Sequence, residues 1–254
     1  MKNIQDLVAK TTKELILDEP FYGLFLIGIN KTYSERIPTA GVSKLGIGMQ
    51  LTINPEFYMN LSLPHRVGLI KHELLHIAFG HLIMRDLYSN HKLFNIAADL
   101  EINQYINESK LPDGGLILSS FPELNLPRKA GTKVYYNLLE QAEQDGTCPS
   151  LDNLMDQMNG ESEYCHGTWE DFNDLSEPDK KLMQKQVEHQ LKEAAEQTIK
   201  KSGSIPGECS ELIERLFNVE PAKFDWKQYL RRFVGNSSIV YTKKLNSRII
   251  FLLV

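Results

Sequence analysis

The run His72-Glu73-Leu74-Leu75-His76, set inside Val67 to Phe79, constrains this chain more than any other stretch. Val67, Ile70, Leu74, Leu75, Ile77, Ala78 and Phe79 spread apolar side chains around much of a helix, so a largely enclosed helix is expected over about Pro64 to Gly80. Ser62, with Pro64 two positions on, supplies its start signal. At about 100° per residue, His72 and His76 stand about 40° apart on one face, and both imidazoles can reach a single ion. Glu73 projects from the neighbouring side and can reach a water beside that ion without being a ligand. Two neutral imidazoles, a third protein ligand and an open water position make a catalytic zinc site. The competing picture, two surface histidines and a solvated glutamate, fits the apolar flanks poorly.

The third ligand has to come from elsewhere. His81 lies nine residues after His72, about 180° round an unbroken helix, and faces away unless the chain turns at Gly80. Asp99 is the better candidate, because a helical hairpin through Tyr88 to His91 can fold the next helix, Leu93 to Ile106, back against the first. Asn103, one turn beyond Asp99, shares its face and can hold a ligand from behind, whereas Glu101 lies about 200° from Asp99.

Around this centre the chain reads as α+β over residues 1–140. Ile4 to Leu17 and Phe21 to Ile29 are expected as helices, the second opened by Pro20. Ile47, Met49, Leu51 and Ile53 alternate with Gly48, Gln50 and Thr52, the pattern of a half-buried strand ended by Asn54-Pro55. Residues 141–254 read as a mainly helical extension. There, Asp145 to Glu163 is acidic and turn-rich, and Asp179 to Lys201 is a charged helix with the stripe Met183, Val187, Leu191, Ala195. Short helices are expected over Ser210 to Phe217 and Asp225 to Val234. The apolar run Ile249 to Val254 should be a strand that begins a further domain, pairs with the body or docks on another chain.

Composition narrows the function. With 33 acids against 28 bases the net charge is −5, which argues against general nucleic-acid binding; seven bases between Lys223 and Arg248 read as a solvated or partner-facing surface. No apolar stretch approaches the roughly 20 residues that cross a bilayer, so no membrane span is expected. The N-terminus lacks secretory features, and Cys148, Cys165 and Cys209 form no CxxC pair, which suits a reducing cytoplasm. Cys148, Cys165, His166 and Cys209 match no zinc ribbon or finger spacing.

The run HELLHIAFGH, followed by Asn95-Ile96-Ala97-Ala98-Asp99 through Asn103, resembles the metallopeptidase domain that bacteria and phages place ahead of a von Willebrand A-like domain. Thr52-Ile53-Asn54-Pro55 before the motif helix, His166 to Trp169, Ile205-Pro206-Gly207, and Asp225-Trp226 leading into Leu230 to Phe233 extend the likeness over most of the chain. The resemblance implies a zincin-like fold, with a small mixed sheet over the HExxH helix, and zinc-dependent hydrolysis. The longer metzincin pattern is missing, so an Asp third ligand of aspzincin type is the nearest analogue.

The sequence therefore points to a cytoplasmic zinc peptidase acting on a peptide or protein. Zinc on His72, His76 and Asp99 would polarise a water and the scissile carbonyl, while Glu73 moves the proton to the leaving amine. An extended substrate could pair with the strand Ile47 to Ile53, and Tyr105 and His166 are candidates for oxyanion support. The rival reading is a metal-containing binding or assembly module with little turnover, partnered with a von Willebrand A-like domain or an AAA-type ATPase; the intact Glu73 favours the enzyme.

Overall fold

The structure is a computed structural model that describes residues 4–158, Trp169, Phe172, 175–203, Ile213, 241–245 and 248–252. The chain divides into two units, Met1–Cys209 and Ser210–Val254. The first is α+β, mostly helical, with one small mixed sheet.

Helix α1 (Ile4–Asp18) buries Leu7, Val8, Thr11 and Leu15 at helical spacing, and α2 (Pro20–Gly28) follows after a single residue. Almost wholly apolar, α2 is expected to be covered on more than one side. It lies between α1 and the long α9 (Glu177–Ser202), with Gln190 Nε2 donating to the Gly28 carbonyl at 3.2 Å. The expected stripe of α9 is buried at Met183, Val187, Leu191 and Ala195.

Strands β1 (Asn30–Tyr33), β2 (Ala40–Leu45) and β3 (Gly48–Ile53) form a sheet of order β1-β3-β2, with β1 parallel and β2 antiparallel to β3. Val42 and Lys31 both register on Leu51. A two-residue turn, Gly46-Ile47, joins β2 to β3, with Gly46 at φ +61°, the backbone such hairpin turns require. Two expectations are corrected here. Ile47 belongs to the turn and is 53% exposed, while Thr52, expected on the open face, is buried and shares a 3.0 Å hydrogen bond with Ser43 Oγ. Also, β3 is the central strand, so both of its edges are already paired and it cannot receive a substrate strand.

Asn54 then caps α3 (Pro55–Asn60), its Oδ1 accepting from the Glu56 and Phe57 amides at 2.9 and 3.2 Å. The central helix, α4 (Leu63–Phe79), contacts α1, α2, α9 and β2, which explains its apolar circumference. At Gly68 it meets the turn 108–110 so closely that a Cβ would sit 1.9 Å from the Lys110 carbonyl oxygen. After α5 (His81–Met84) and a short turn, α6 (His91–Ile102) packs on α4 and on α7 (Thr132–Asp145). Helix α8 (Pro149–Met158) occupies part of the stretch read as turn-rich; Leu151 is wholly buried there, and that anchor outweighs the surrounding charge.

In the second unit, β4 (Tyr241–Leu245) and β5 (Arg248–Leu252) form an antiparallel hairpin, with Lys243 opposite Ile250. The apolar run beginning at Ile249 is thus a paired strand through Leu252. The helices expected over 210–217 and 225–234 lie, Ile213 apart, outside the described residues, as do Cys165, His166 and Cys209. No single helix among the described residues is long and apolar enough to cross a membrane.

Candidate metal centre

Two capped helices build the site. In α4 the Ser62 hydroxyl accepts from the His65 amide at 3.3 Å, and Gly80 ends the helix in the left-handed region at φ +72°. Asn90 caps α6 through the Lys92 and Leu93 amides at 3.1 and 3.2 Å. Both helices thus begin at local signals that fix which residues face the seam between them.

At that seam His72 Nε2 and His76 Nε2 are 3.0 Å apart, and Asp99 Oδ1 lies 3.2 Å from His76 Nε2 and 3.6 Å from His72 Nε2. One donor atom from each of the three falls within 4.8 Å of the others, a grouping that can hold a metal ion. The chemistry of the donors fits. Asn103 Nδ2 donates to the Leu116 carbonyl at 2.7 Å, so its Oδ1, 2.8 Å from His72 Nδ1, is the accepting end. His72 therefore holds a proton on Nδ1 and turns Nε2 toward the Asp99 carboxylate, an arrangement a cation would stabilise. Two imidazole nitrogens and one carboxylate oxygen leave room for further ligands.

Glu73, next to His72 on α4, is only 3% exposed and lies close enough to Asp99 to feel its charge. Burial, and secondarily the negative charge of Asp99, push its carboxyl up to about 8. A cation bound beside Asp99 would act in the opposite sense and favour the carboxylate.

The chain does turn at Gly80, and His81 comes back to the site. It does not join the three donors. Its Nδ1 lies 2.9 Å from His76 Nδ1, the ring nitrogen opposite the one facing Asp99. His81 Nε2 is 3.0 Å from Thr132 Oγ1 and 3.5 Å from Glu101 Oε2, and Thr132 also donates its amide to Glu101 Oε2 at 2.7 Å. Glu101 faces away from Asp99, as its spacing requires, yet reaches the centre's surroundings through these partners. Spacing within one helix gave no sign of this, because Thr132 lies 51 residues from His81. The Trp169 ring lies edge-on to His76 at 4.9 Å and to Phe94 at 6.4 Å.

On the other side, Asn103 borders a cleft of about 1050 Å³, also lined by Lys71, Tyr105, Lys110, Phe121 and Arg128. The Tyr105 ring lies 5.6 Å from that of Phe79, tilted by 44°.

Residues 5–242 match the model of a family described as "putative metallopeptidase domain", and the chain belongs to that family. No curated protein and no solved structure matches it.

Proposed function

We propose that the chain is a zinc-dependent peptidase of zincin-like organisation, with His72, His76 and Asp99 as the zinc ligands and Glu73 as the general base. The observation that carries the reading is the convergence of two Nε2 atoms and one carboxylate oxygen beside a buried glutamate. The metal-binding character of the family supports it. Zinc held there supplies Lewis acidity to a water and to the scissile carbonyl.

The protein's own groups do the rest. Glu73 accepts the proton of the attacking water and delivers it to the departing amine; burial raises its carboxyl, and a cation beside Asp99 would restore the ionised form that a base requires. Asn103 holds the His72 ring by its Nδ1–H, keeping Nε2 directed at the centre. The enclosure of His76 on its Trp169 side leaves the cleft beside Asn103 as the approach for a peptide. Asp rather than Asn or Gln as the third donor offsets the charge of the ion and keeps the centre close to neutral.

Elemental analysis of the purified protein, run beside a proteome-derived peptide library before and after chelation, tests the reading. One zinc per chain is expected, with cleavage lost on chelation and restored by zinc. Protein that holds zinc and cleaves nothing in the library would instead favour a binding or assembly module.

A further inference from the structure

We propose that Glu101, Thr132 and His81 form one hydrogen-bonded chain that fixes the tautomer of His76, holding its Nε2 free of a proton and aimed at Asp99. The purpose assigned to this chain, positioning a metal ligand, rests on the zinc reading above; its hydrogen-bond polarity does not.

Thr132 Oγ1 has one proton to give and stands in hydrogen-bond contact with both Glu101 Oε2 and His81 Nε2. An ionised carboxylate only accepts, so the hydroxyl proton goes to Glu101 and the hydroxyl oxygen accepts from His81 Nε2–H. A His81 ring that holds its proton at Nε2 presents the Nδ1 lone pair, at 2.9 Å from His76 Nδ1. His76 must donate there, and its single proton is committed to Nδ1. Nε2 is left bare, 3.2 Å from Asp99 Oδ1 and 3.0 Å from Nε2 of His72.

Burial reinforces this polarity. His81 is 0% exposed, Glu101 4% and Thr132 5%, so water offers no competing partner at any link. The backbone secures the far end, since the Thr132 amide donates to the same Glu101 oxygen at 2.7 Å. The near end depends on Gly80. In an unbroken helix His81 would stand about 140° from His76, but the left-handed turn at Gly80 restarts the helix and brings the two rings to 5.1 Å between centroids. A chain that terminates in a carboxylate also raises the basicity of the ligand it supports.

The test compares variants that cut the chain with variants that keep it. Thr132→Val removes the hydroxyl at constant shape, and His81→Leu removes the acceptor for His76 Nδ1–H. Thr132→Ser keeps the hydroxyl, and His81→Asn places an amide oxygen near the position of Nδ1. Zinc affinity by chelator competition is expected to fall about 10- to 100-fold in the first pair and to stay within a few-fold of wild type in the second. Long-range proton–nitrogen NMR of the ring nitrogens at neutral pH supplies a readout that does not need zinc. In the metal-free wild type, His76 should be protonated on Nδ1, and His81→Leu should move that proton to Nε2. An Nε2–H tautomer for His76 in the metal-free wild type overturns the proposal, as do zinc affinities equal to wild type in both cutting variants. If the wild type binds no zinc, the zinc reading fails, and the tautomer spectrum alone decides the chain: Nδ1–H upholds it and Nε2–H overturns it.

Discussion

His72 and His76 stand one turn apart on the same helix, yet their surroundings differ in kind. His76 is wholly buried, flanked by Trp169, and backed by a chain that ends in the Glu101 carboxylate. His72 keeps 15% of its side chain exposed and is backed by the neutral amide of Asn103 at the margin of the cleft. The contrast assigns different tasks to two residues that the motif treats as equivalent. The buried ring can anchor an ion rigidly, whereas the proposed function places the ring beside the cleft on the side from which water and substrate would arrive.

Replacing the residue common to both sides has the largest expected effect. Asp99→Ala removes the charged member of the three proposed donors, leaves two imidazoles, and should lower zinc affinity by orders of magnitude in chelator competition. Retention of affinity by this variant would mean that the third ligand lies elsewhere.

Next comes Trp169→Ala, which touches the buried side alone. Loss of a fully enclosed indole should reduce stability by about 3 to 5 kcal/mol, seen as a lower denaturation midpoint. If the change were instead below about 1 kcal/mol, a range typical of surface substitutions, the picture of a sealed His76 side would be wrong.

The smallest expected effect sharpens the comparison most. Asn103→Ala should weaken zinc binding about tenfold, the low end of the range for an outer partner, because water from the cleft can take over the His72 Nδ1–H. His81→Leu has no such rescue in its dry setting and should cost more. Equal losses in the two variants would erase the proposed difference between the sides.

What the sequence disclosed about this site follows from how local each determinant is. Ser62, Pro64 and Gly80 lie at the ends of α4 and act within a turn, so the span of that helix was legible to about a residue. The placing of Asp99 and Asn103 on one face of α6 follows from helical spacing, and both do face α4. The sheet was only one-third legible. Gly48 to Ile53 alternates, but Asn30 to Tyr33 is short and polar, and its parallel pairing with Gln50 to Ile53 is set by tertiary contacts. His81 was legible only conditionally: helical geometry rotates it away unless the chain turns at Gly80, and the left-handed turn there does bring it back beside His76, outside the three donors. Thr132 and Trp169 carry no pattern that points to His76, since their roles exist only once α7 and the chain beyond α8 have met α4 and α6.

Glu73 is proposed to act as the base and not as a ligand, and Glu73→Gln separates those two roles. The substitution keeps the shape of the side chain and removes its capacity to take a proton from water. Metal content and peptide hydrolysis should be measured side by side on the same preparations of wild type and variant. One zinc per chain in both, with hydrolysis abolished only in Glu73→Gln, is the predicted result. Hydrolysis by the variant at the wild-type rate, or loss of its zinc, would contradict the account.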